Sequence, residues 1–97
     1  MYAVVAVIKA GSDLRRMPVD TSSLTDAFWA HAQESDGLEH VRVAHAVDGV
    51  SVALFMTARD RTEAAATALV LCWRLVVAVP SFAGWYVESC LVHGARR

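Results

Sequence analysis

His40, Arg42 and Glu88 are the residues of this chain whose types suit acid–base and anion chemistry. Histidine changes charge near neutral pH and serves as a proton carrier. An arginine beside an apolar cavity binds a carboxylate, enolate or phenolate oxygen and favours developing negative charge. A glutamate supplies a partner acid or base. Each also has a plainer reading: His40 as a solvated edge-strand histidine, and Arg42 as a cation stacked on Phe55, worth about 0.5–1 kcal/mol if exposed. His45 lies five residues after His40, so on one strand the two point to opposite faces and cannot share a metal ion. With His31 on a helix and His93 near the C-terminus, no metal site and no cofactor is expected. Cys72 and Cys90 form no CxxC pattern and read as reduced packing residues. No Ser-His-Asp or Cys-His arrangement and no glycine-rich phosphate loop is present; Gly11 and Gly49 stand alone.

Whether these residues converge depends on the stretch from His40 to Thr57, HVRVAHAVDGVSVALFMT. Two alternating apolar runs flank Asp48-Gly49, and Asp-Gly between such runs signals a two-residue hairpin turn. That turn pairs Val47 with Val50, His45 with Val52, Val43 with Leu54 and Val41 with Met56. This set is large and aliphatic and is the expected core face, with His45 as a neutral core histidine. The opposite face pairs Ala46 with Ser51, Ala44 with Ala53, Arg42 with Phe55 and His40 with Thr57. Small residues there leave room for a ligand, so Phe55, Tyr86, Ser51, Ala44 and Ala53 are the expected ligand-binding residues. Tyr86, Glu88 and Cys90 join that face if Val87 and Leu91 point to the core.

The remaining elements follow from period and punctuation. Tyr2 to Lys9 is a β-branched run with apolar residues at both parities, as in a central strand; which parity faces the core stays open. Ala10 to Asp20 carries Gly11, Ser12, Asp13 and Pro18 as breakers and exposes Arg15-Arg16. It is either a flap or an ordinary surface loop. A helix runs from Ser22 or Ser23 to Ser35, with Ser23 and Asp26 resembling a capping box and Gly37 a C′ residue. Its inward stripe is Leu24, Phe28 and Ala32, with Ala27 and His31 beside it, while Trp29 projects outward as a lid or a subunit contact. Asp60 to Val79 is a second helix, stopped by Pro80 and apolar over most of its girth, so tight Ala contacts or a second subunit must cover its outside. Trp85 to His93 alternates as a last strand.

Composition narrows the classes. At 97 residues the chain is read as a single domain, 1–97. The apolar fraction of 56% is high, yet no run reaches the length of a membrane span. A net charge of −1 gives no basic patch, which argues against nucleic-acid binding. MYAVVAVIKAGSD lacks a basic start and reads as a strand rather than a signal peptide, so a cytoplasmic protein is expected.

The order β-α-β-β-α-β predicts a ferredoxin-like α+β sandwich: a four-stranded antiparallel sheet, strand order 4-1-3-2, with both helices on one face. With its apolar open face this pattern resembles the dimeric α+β barrel superfamily, in which two sheets pack face to face around a shared interior. The resemblance covers the whole chain in element order. It implies a homodimer and an apolar or aromatic small-molecule partner. Members include cofactor-independent monooxygenases acting on aromatic polyketides, haem-degrading monooxygenases and muconolactone isomerases. No family residue is carried over, since the chain contains no asparagine for the monooxygenases' Asn/Trp/His set. Two functions stand: a cofactor-independent enzyme of monooxygenase, cyclase or isomerase type acting on a cyclic or aromatic metabolite, or a non-catalytic dimeric module binding a ligand or protein.

Overall fold

A computed structural model describes residues 1–11 and 20–95. The flap expectation falls mainly on residues 12–19, and these and the two terminal arginines lie outside the described residues. The elements are β1 (Tyr2–Lys9), α1 (Thr21–His31), β2 (Leu38–Ala46), β3 (Gly49–Met56), α2 (Arg61–Ala78) and β4 (Tyr86–Ala95). Single 3-10 turns sit at Glu34–Asp36 and Pro80–Phe82. The strands form one antiparallel sheet in the order β2-β3-β1-β4, so β2 and β4 are its edges. This is the expected ferredoxin-like βαββαβ arrangement.

The core settles the parity of β1. Val4, Ala6 and Ile8 are fully buried beside Val50, Val52, Leu54 and Met56 of β3. Leu24 and Phe28 of α1 close over them, with Ala64, Ala68, Leu71, Cys72 and Leu75 of α2. Alanine at positions 64 and 68 lets α2 lie close to β1 and β4. Val5 and Val7 therefore point to the face that the helices leave open.

The hairpin departs from its expected register. Val41 pairs with Leu54, Val43 with Val52, His45 with Val50 and Ala46 with Gly49, so Val47 and Asp48 make the turn. Asp48, not Gly49, takes the left-handed backbone, with φ of 62°. Gly49 is needed for proximity: a Cβ there would lie 2.0 Å from the Ile8 carbonyl oxygen of β1. A two-residue slip keeps every side chain on its expected face but changes its partner. His45 and Val47 are nevertheless exposed: β2 is the edge strand, and burial at this end reaches Val50 and Ile8 in the same row but not His45.

The helix ends also shift. Asp20, not Ser23, caps α1: its carboxylate accepts from the Ser22 and Ser23 N–H groups and from the Ser23 hydroxyl. The helix stops at His31, and Gly37 (φ 72°) instead closes the 3-10 turn after it. A Cβ on Gly37 would lie 2.4 Å from the Thr57 carbonyl oxygen, beneath the bond that Thr57 N–H donates to Gly37 O. Asp60, expected as the first residue of the second helix, is instead the cap of α2.

Candidate functional site

The open face is a grid of cross-strand rows. His40, Phe55 and Ala3 form one row; Arg42, Ala53, Val5 and Leu91 the next. Ala44, Ser51, Val7 and Ser89 follow, and Ala46, Gly49, Lys9 and Tyr86 end it. The centre is thus Ala53, Val5, Ser51 and Val7, small or aliphatic and without charge. The charged groups stand at the margin.

On the β2 side the sequence-predicted residues gather. The His40 ring lies 5.6 Å from the Phe55 ring, tilted by 45°. Arg42 is two residues along the same strand and face, about 7 Å away, and it opposes Ala53 rather than Phe55. The register slip thus gives Phe55 a histidine neighbour where an arginine was expected. Ala44, Ser51 and Ala53 are contiguous with this group. His40 and Arg42 are both exposed.

Glu88 and Tyr86 are not brought to it. They sit on β4, three strand spacings from β2, which is on the order of 14 Å. Glu88 is moreover the extra residue of a bulge, since Val87 pairs with Ile8 and Ser89 with Val7. The bulge inverts the parity beyond it. Cys90, expected on the open face, points to the core, where its thiol approaches the Ala65 carbonyl oxygen at 3.8 Å. Ser89 and Leu91 take the open face instead, and Leu91 is 62% exposed. The missed signal was the polar pair Glu88-Ser89 followed by the apolar run Cys90-Leu91-Val92, a break in alternation that marks a bulge.

Neither cysteine is a nucleophile in this setting. Burial, and then the charge of Cys90 nearby, pushes the Cys72 thiol up to about 12. Burial also raises Cys90. Both are free thiols. Among the described residues no group of three His, Cys, Asp or Glu lies close enough to hold a metal ion, and no helix is long and apolar enough to cross a membrane. A shallow groove of ≈660 Å³ runs between the start of α2 and the β4 edge, past Arg61, Ala65, Cys90 and Leu91. Arg61 reaches across it to the Val92 carbonyl oxygen at 3.4 Å. It contains neither His40 nor Arg42. No family model, curated protein or solved structure matches the chain.

Proposed function

We propose that the protein is a homodimeric α+β barrel that holds an apolar, anionic aromatic molecule between two open sheet faces. The observation that carries this is the row Arg42–Ala53–Val5–Leu91: a cation at one end of three adjacent uncharged side chains, ending in an exposed leucine. A water-facing sheet surface ordinarily alternates in polar residues, whereas this one leaves apolar area for a second sheet to cover. Arg42 pairs with the ligand oxyanion, Phe55 forms a wall, and the Ala44, Ser51 and Ala53 positions leave the space; Tyr86, at the opposite edge, reaches the ligand only from the second copy. A cytoplasmic setting, in which Cys72 and Cys90 stay reduced, fits this reading.

The test uses 1-naphthoate and its neutral counterpart 1-naphthalenemethanol. Arg42→Ala weakens naphthoate binding about tenfold or more, the loss expected for one charge-assisted hydrogen bond, and leaves the neutral compound unaffected. Light scattering at low micromolar concentration finds a dimer. A stable monomer, or equal loss for both compounds, overturns the reading.

A second reading, cofactor-independent catalysis on a cyclic or aromatic metabolite, is favoured by one observation: His40 rests against Phe55 on the strand and face that carry Arg42. There the histidine moves a proton while the guanidinium holds the resulting oxyanion. Deuterium exchange at the α-carbon of cyclic ketones tests it. Exchange that His40→Gln abolishes while naphthoate still binds supports catalysis. A uniform lack of exchange leaves the binding module.

A further inference from the structure

The row Ala44–Ser51–Val7–Ser89 is where the centre of the open face departs from plain aliphatic lining. Ser51 and Ser89 stand on either side of Val7, and both are half-buried in the single chain. Among the described residues neither hydroxyl makes a hydrogen bond, whereas those of Ser23, Thr25 and Thr57 each do. Alanine fills the neighbouring open-face positions 44, 46 and 53, so volume alone does not require serine. A hydroxyl offers one donor and two acceptor lone pairs, which water serves while the face is open. Once a second sheet covers the face, a hydroxyl left unpaired there opposes closure. Something other than water must then meet it.

Position separates the two serines. Arg42 opposes Ala53 and Ala44 opposes Ser51, so these four residues are the corners of one two-strand cell. Arg42 and Ser51 share a diagonal, with Cα atoms about 8 Å apart, and the two alanines share the other. The long axis of a fused two-ring aromatic with a substituent at each end matches that diagonal, and the alanines leave room for its body. Ser89 lies on β4, three strand spacings from β2, on the order of 14 Å. A molecule of that size held by Arg42 does not reach it.

We propose that Ser51 is a specificity-determining residue of the open-face site. Its hydroxyl exchanges a hydrogen bond with an uncharged hydroxyl or carbonyl at the end of the ligand remote from the anion on Arg42. This inference rests on the ligand-binding reading given above and narrows it. The ligand is two-ended: anionic at one pole, hydrogen-bonding but neutral at the other, and apolar between, over Ala44 and Ala53.

The test titrates 6-hydroxy-2-naphthoate and 2-naphthoate, which differ by one hydroxyl, against the full chain, Ser51→Ala, Ser89→Ala and Arg42→Ala, by fluorescence. The wild type binds the hydroxylated acid about fivefold more tightly, the ratio that one net hydrogen bond provides. Ser51→Ala abolishes this preference by weakening the hydroxylated acid. It leaves 2-naphthoate unchanged or tighter, because that acid offers Ser51 no partner. Ser89→Ala keeps the preference. A preference that survives Ser51→Ala, or that Ser89→Ala removes instead, overturns the assignment. So does a Ser51→Ala protein that is monomeric where the wild type is dimeric, since the hydroxyl then serves the facing sheet. Equal binding of both acids by the wild type, each weakened by Arg42→Ala, overturns the role of Ser51 and leaves the ligand-binding reading standing. Failure of both acids to bind overturns that reading and the inference together.

Discussion

Asp36 is the buried carboxylate on which three segments converge. Its Oδ2 accepts from the Gln33 N–H at 2.8 Å and from Arg74 Nη1 at 2.8 Å, while the same Nη1 donates to the His31 carbonyl oxygen at 3.0 Å. One ion pair thus joins α2 to the end of α1 and the 3-10 turn after it. Burial by itself pushes this carboxyl up, but the Arg74 and Gln33 hydrogen bonds and the Arg74 charge outweigh it and hold it below the usual carboxylate value. A depressed folded value means that the contribution is complete above the ordinary carboxylate pKa of about 4 and is lost as pH falls through the folded value. Asp36→Ala strands Arg74 and an amide, and costs about 2 kcal/mol in urea denaturation at neutral pH. The difference from wild type shrinks below about pH 4; a difference that grows there contradicts the assignment. The hairpin turn offers a sharper residue-level contrast. Gly49→Ala forces a methyl into the β1 backbone and costs about 3 kcal/mol. Asp48→Gly, which relieves a positive φ, costs much less than Gly49→Ala. Reversed outcomes in denaturant titrations would restore Asp48-Gly49 as the turn pair.

At the level of elements, β4 decides what the open face is made of. Its bulge between Val87 and Ser89 exchanges Cys90 for Leu91 on that face. Thiol labelling reads this directly. Cys72 and Cys90 react with maleimide only as fast as the protein opens, because both thiols are buried or half-buried and their thiolates disfavoured. Leu91→Cys, at the most exposed open-face position of the strand's centre, reacts at the rate of a free thiol. Fast labelling of Cys90 in the native protein would mean unbroken alternation along β4. The same element explains why Tyr86 and Glu88 stand apart from His40 and Arg42, since an edge strand cannot reach the opposite edge of its own sheet.

On the scale of the whole molecule, the described helices cover only one face of the sheet. Helices α1 and α2 occupy one side of the sheet, and the other carries Val5, Val7, Ala53 and Leu91. If a second copy supplies the cover, ligand binding and dimerisation are linked, because a molecule held between sheets binds the dimer and not the monomer. Naphthoate then raises the melting temperature less at low protein concentration, where the monomer predominates, than at high, and Arg42→Ala removes most of that shift. A ligand-induced shift independent of protein concentration would place the site on a single chain.

Much of this was legible in the sequence because it depends on local pattern. Period-two runs, the apolar helix stripes and the breakers at Gly37 and Pro80 determined six elements in the right order, and the edge positions of β2 and β4 followed from that order. The two faces of the hairpin survived a register slip, since a shift of two residues preserves parity. Tertiary structure decided the rest through contacts that no local pattern encodes. The crowding of Gly49 against Ile8 moved the turn to Val47-Asp48 and set His40, not Arg42, against Phe55. Pairing with β1 created the bulge that turned Cys90 inward. The placing of Arg74 over Asp36 joined residues 38 positions apart. Strand pairing and ion pairing act across the chain, so their outcome waits on which backbones meet; the alternation of side chains does not.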